Sequence, residues 1–194
     1  MERKTARRRI WRLALVGPVL VLVAAATLVT QPATATQGFC GQTWGSLPKQ
    51  LGNNDPGSQS SVLTNVRAGR HECYDRLVFD LSGPATGYRV EYVSQVTNED
   101  TGAPIPIRGG AILGIVLSAP AHDGNYQPTY QPANRFEAVN VSGFSTFRQV
   151  YFGGTFEGLT DSALGVRARL PFRVTVLSGP GTGSRVALDV AHFW

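Results

Sequence analysis

Three histidines, two cysteines and one Asp-Thr-Gly triplet are the residues of this chain with obvious catalytic chemistry to offer. The triplet, Asp100-Thr101-Gly102, spells an aspartic-protease loop. That chemistry needs two such loops, each after an apolar strand, whereas here Asn98-Glu99 precedes and Ala103-Pro104 follows. Asp and Gly are ordinary turn residues, and the triplet reads as a turn. His71, His122 and His192 have no metal-ligand spacing to one another or to a cysteine, and no His-Glu-x-x-His occurs. No Gly-x-Ser-x-Gly elbow is present. A hydrolase assembled from His71, Asp75 or Glu157 stands as a third reading, behind two binding readings. No catalytic residue is assigned, and neither a metal nor a cofactor is expected.

Arginine offers more. Arg167, Arg169 and Arg173 share parity around Pro171, opposite Val166, Ala168, Leu170, Phe172 and Val174. On the outside of a sheet they would form a row of guanidiniums, with Arg148 and Glu157 as candidate neighbours. Such a row grips carboxylates or phosphates through forked hydrogen bonds. The alternative is a solvated face whose ion pairs contribute little, with Pro171 bulging the strand and splitting the row. The 119–135 stretch, with Tyr126 and Tyr130, reads as a long exposed loop whose aromatics could meet a partner protein.

Strands must position these groups. Alternation runs through 76–81, where Leu77, Phe79 and Leu81 share one face and Arg76, Val78 and Asp80 the other. Further strand signals cover 62–67, short and β-branched, 112–118, almost wholly apolar and read as a central strand, and 87–94, 136–141, 147–152, 164–170, 172–177 and 185–190, about nine strands in all. Turn clusters separate them, Gly153-Gly154 among them, and no long window after residue 35 holds a helical period. The expected fold is all-β, a single antiparallel β-sandwich spanning 61–194.

Before it come two other segments. Residues 1–35 show a basic start, an apolar run and the small residues Ala33-Thr34-Ala35, the layout of a secretory signal peptide. Retained, this run would anchor the chain in a membrane; Arg7-Arg8-Arg9 leaves a twin-arginine route open. Residues 36–60 read as a Gly/Ser/Asn/Pro-rich linker in which Trp44 is either packing or a binding aromatic. Removing the six basic and one acidic residues of 1–35 from the chain's 18 and 13 leaves 12 of each. The basic balance therefore belongs to the signal, and nothing in the charge argues for nucleic acid. Cys40 and Cys73 both lie in the exported part, where such a pair is expected as a disulfide tying the N-terminal segment to the core.

Arg76 to Asp80 and Arg185 to Asp189 share one pattern. If their strands are antiparallel neighbours with Arg76 opposite Asp189, Asp80 falls opposite Arg185, and two ion pairs lock the register. The general preference for pairing adjacent strands argues the other way.

The runs from Ala68 to Gly83, Gly87 to Val93, Thr155 to Gly158, Leu164 to Val174 and Arg185 to Trp194 together resemble the bacterial AMIN-like domain. The resemblance implies a secreted or lipoprotein envelope protein with a β-sandwich fold. It is related to AMIN modules, which target amidases and other machines to peptidoglycan. It brings no catalytic residues; no lipobox precedes Cys40, and no amidase segment lies within the chain. The expected function is non-catalytic binding of peptidoglycan or another anionic wall polymer in the cell envelope. The alternative is docking on an envelope enzyme or secretion partner.

Overall fold

Alternating apolar residues build two sheets that share one core. The computed structural model describes residues 39–41, 43–52, 61–98 and 101–194. The signal expected over 1–35, residues 53–60 of the expected linker and Asp100 lie outside these. The strands are β1 (Lys49–Leu51), β2 (Leu63–Arg70), β3 (Tyr74–Leu81), β4 (Tyr88–Val93), β5 (Val96–Thr97), β6 (Pro104–Ile105), β7 (Ala111–Leu117), β8 (Phe147–Phe156), β9 (Leu159–Val166), β10 (Phe172–Ser178) and β11 (Ser184–Ala191). All pair antiparallel: a five-stranded sheet β1-β4-β7-β9-β8, a four-stranded sheet β10-β11-β3-β2, and the ribbon β5-β6. Val90, Leu113, Ile115, Leu117, Val150 and Leu164 from the first sheet meet Leu63, Leu77, Phe79, Leu81, Phe172 and Leu188 from the second in one buried cluster.

Eight of the nine expected strands are present, and the differences have local causes. Residues 136–141 do not form a strand. Asn134 Oδ1 accepts the Phe136 N–H at 2.9 Å and starts a 3-10 turn over Arg135–Glu137. The segment then docks on β8, where the Ala138 N–H donates to the Val150 carbonyl at 2.9 Å. Gly153-Gly154 is a bulge inside β8 rather than its end. The hairpin turns instead at Glu157 and Gly158, with φ of 46° and 79°, the two positive angles of a type I′ turn. Thr101 and Gly102 lie in the β5–β6 connection, where Asn98 Oδ1 accepts the Thr101 N–H at 2.9 Å. β9 ends at Val166, and residues 167–171 carry the chain across to β10 in the other sheet.

The segment expected as a linker is partly a strap. Cys40 and Cys73 are bonded, with Cα atoms 6.0 Å apart. From there the chain passes β10, where Gly45 O accepts the Phe172 N–H at 2.9 Å, and pairs with β4 as β1. Edge strands leave backbone groups free to pair, and residues 43–52 take them up on both sheets.

β11 lies beside β3 in the register that the Arg/Asp pattern defines: Arg76 opposite Asp189, Asp80 opposite Arg185. Only the first pair closes. Arg76 grips Asp189 through Nε at 2.6 Å and Nη2 at 2.8 Å, and Arg173 of β10 adds a third bond at 2.9 Å. These bonds hold the Arg76 pKa above its usual value. Asp80 is taken instead by Arg67 of β2, through Nε at 2.9 Å and Nη2 at 3.0 Å.

Asp189 is fully buried while Arg67 is half exposed. Arg76→Ala strips a buried carboxylate of two of its donors and is expected to cost about 1–3 kcal/mol of unfolding free energy. Arg67→Ala breaks a solvated pair and should cost less than about 1 kcal/mol. Urea denaturation of both variants checks this ordering.

Candidate functional groove

The outer face of the five-stranded sheet carries a trough, and the sequence makes it by size. In one cross-strand row the residues are Glu91, Gly114, Ala163 and Tyr151; in the next they are Arg89, Val116, Asp161 and Gly154. In the first row the central strands contribute Gly114 and Ala163 between the larger Glu91 and Tyr151, and in the second Gly154 of β8 leaves one side low. The β5 end, through Val96, Thr97 and Asn98, forms a further wall. The resulting groove holds about 400 Å³, within the roughly 300–1,000 Å³ usual for ligand sites.

Its polar groups are ordered. Arg89 and Glu91 pair in parallel fashion, Nε to Oε1 at 2.8 Å and Nη2 to Oε2 at 3.1 Å. Hydrogen bonding to Glu91 raises the Arg89 pKa. Arg135 lies over the Tyr151 ring at 5.4 Å, donates to the Tyr151 hydroxyl at 3.0 Å, and also bonds the carbonyls of Phe152 and Gly153. Among the described lining residues two guanidiniums and two carboxylates balance, so this part of the groove offers donors and acceptors without a charge surplus. The Phe156 ring stands at its rim, 61% exposed. No histidine or cysteine lines it. This arrangement suits hydrogen bonding to hydroxyl and amide groups beside an apolar face.

The residues singled out from sequence lie elsewhere. Arg167, Arg169 and Arg173 are not one row, because the first two sit in the crossing between sheets and only Arg173 is on a strand. Arg167 bonds the His192 carbonyl, Arg169 reaches Ser46 and lies 4.7 Å over Tyr92, and Arg173 holds Asp189. Arg148 is turned onto the carbonyls of Phe144, Ser145 and Phe147. Glu157 occupies the hairpin tip next to Phe156.

The two tyrosines part company. Tyr126 is 80% exposed and stacks on His122 at 5.0 Å. Tyr130 is not an exposed loop aromatic: it packs on the core against Phe152 at 5.1 Å, and burial raises its pKa. Trp44 is packed edge-on to Tyr74 at 5.6 Å, beneath the Arg173 guanidinium.

The three residues of the hydrolase reading do not converge. His71 stacks on Tyr74 at 4.5 Å. Asp75 is fully buried and accepts the backbone N–H groups of Thr146 at 2.6 Å and Phe147 at 3.3 Å, with His192 Nε2 at 3.2 Å. Glu157 lies ten residues beyond Phe147 along the β8 hairpin arm, a distance of roughly 30 Å.

The groove itself was missed. Its available signals were a glycine inside the apolar run 112–118 and the Arg89-x-Glu91 pair on one strand face.

A family model, the AMIN-like domain, matches residues 61–192. The chain belongs to the AMIN-like domain family. No curated protein matches it. The AMIN-like domain is an extracytoplasmic, envelope-associated family of generally non-catalytic modules. Among the described residues no helix is long and apolar enough to cross a membrane.

The groove walls are surface features, so Glu91→Gln and Phe156→Ala should leave the urea midpoint at its wild-type value. A clear drop in either midpoint would show that these side chains hold the sheet rather than shape a site.

Proposed function

We propose that this AMIN-like domain is a non-catalytic wall-binding module that takes the glycan of peptidoglycan into the trough on the five-stranded sheet. The observation that carries the reading is the charge-balanced groove of about 400 Å³ with a small-residue floor and the exposed Phe156 ring. A sugar ring presents hydroxyls at its edge and C–H groups on its face. Paired carboxylates and guanidiniums supply acceptors and donors for the first, and an aromatic ring supplies a surface for the second. The absence of net charge in the groove favours a neutral sugar backbone over a polyanion at this site.

Co-sedimentation with purified peptidoglycan sacculi tests it. The wild-type chain is retained, Glu91→Gln and Phe156→Ala each weaken retention about tenfold, and raising salt has little effect. Retention that is absent at low salt, or unchanged in both variants, contradicts the proposal.

One observation favours the second reading, docking on an envelope protein. Tyr126 is presented on a loop held by Asp123, whose Oδ1 accepts the N–H groups of Asn125 at 2.8 Å and Gln127 at 2.9 Å. In that case Tyr126→Ala would abolish partner capture while sacculus retention stays as in wild type.

A further inference from the structure

The outer face of the four-stranded sheet carries different chemistry. Its side chains form a grid: Arg173, Asp189 and Arg76 in one row; Thr175, Ala187, Val78 and Arg67 in the next; Leu177, Arg185, Asp80 and Asn65 in the third. Four guanidiniums meet two carboxylates, which leaves a surplus of two positive charges.

The hydrogen bonds locate that surplus. Asp189 is shared by Arg76 and Arg173, one carboxylate against two guanidiniums. Asp80 is taken by Arg67 and by Asn65 Nδ2 at 3.2 Å, on the side away from β11. Arg185, which faces Asp80 across the strand pair, is left with the Ser178 carbonyl at 2.8 Å. Its Nε is buried and has no hydrogen-bond partner among the described residues. A buried donor without an acceptor is costly, and a ligand oxygen would remove that cost. Arg173 is held in place under Trp44, 4.4 Å from the ring. Arg185 and Asp189 are four residues apart on β11, about 13 Å. One small anion cannot reach both ends of that distance; a chain with repeated anionic groups can. Val78 and Ala187, the apolar centre of the face, are buried, so its accessible surface is dominated by guanidiniums.

We propose that this face binds a linear polyanion bearing repeated phosphate or carboxylate oxyanions, with Arg173 and Arg185 as its two anchoring guanidiniums. Guanidinium forks match both oxyanions. The proposal concerns the sheet opposite the trough and does not depend on glycan binding there.

The test is titration of the full chain with linear polyphosphate, polyglutamate and inorganic phosphate. Residues 1–35 carry six basic residues, so the readout is the difference between variants, together with backbone amide shifts along β11. Support is saturable binding of at least one polymer, weakening with salt, with shifts at Arg185 and Asp189 and much weaker binding of inorganic phosphate. Whichever polymer binds more tightly identifies the oxyanion. Arg185→Gln should weaken binding about tenfold, and Arg185→Lys, which keeps charge but loses the fork, should recover part of it. Arg173→Gln serves as the second variant, and urea midpoints confirm that each is folded. Glu91→Gln should bind the polymer as wild type does. The proposal is overturned by no polymer binding at low salt, by inorganic phosphate binding as tightly as the polymers, or by folded variants that bind unchanged. Tighter binding to anionic vesicles than to either polymer would also overturn it.

Discussion

A carboxylate with no access to water must be held by charge and hydrogen bonds, and Asp189 is held from both sides. Arg76 reaches it from β3 and Arg173 from β10, so one side chain of β11 fixes the register of three strands. Every inward apolar residue of those strands then falls on the core face, because a slip of one residue would reverse all of them. Leu77, Phe79, Val186 and Leu188 line the core as a consequence of where two arginines find one aspartate. On the neighbouring core-facing position, Asp75 performs the complementary task. It accepts two backbone N–H groups at the start of β8 and so ties the second sheet to the first.

With the core fixed this way, the two outer faces carry different side chains. The five-stranded sheet has small residues on its central strands and a charge-neutral trough. The four-stranded sheet has a flat face, closely covered by long guanidinium side chains. The strap from Cys40 to Leu51 joins the margins of both, bonded at Cys73, hydrogen-bonded at Phe172 and paired to β4. Membership in an envelope family fits such a disulfide-closed β scaffold.

Much of the fold could be read from local pattern. Alternation, an apolar run and β-branched residues mark the positions of eight strands, one of them only at its end, and the repeated Arg-x-x-x-Asp spacing defines the antiparallel register that β3 and β11 adopt. What failed needed knowledge of a third partner. The Arg185–Asp80 pair does not close because Arg67, from the edge strand β2, reaches Asp80 first with two bonds. The arginine row fails because parity persists only along one strand, and the chain changes sheets between Val166 and Phe172. The strand expected at 136–141 fails because Asn134 caps a turn there. The trough shows in the sequence only as a glycine inside the apolar run 112–118 and the Arg89-x-Glu91 pair. It depends on Gly114 and Ala163 lying side by side between Glu91 and Tyr151, a juxtaposition of four strands that no single stretch encodes.

The central claim is that the trough, not an exposed loop, meets the wall. The most direct measurement is amide chemical-shift mapping of the isotopically labelled chain titrated with peptidoglycan glycan fragments. Shifts are expected at Gly114, Gly153, Gly154 and Asp161, with the amides around Tyr126 and along β11 unmoved. Shifts confined to the Tyr126 loop, or none at any fragment concentration, would contradict it.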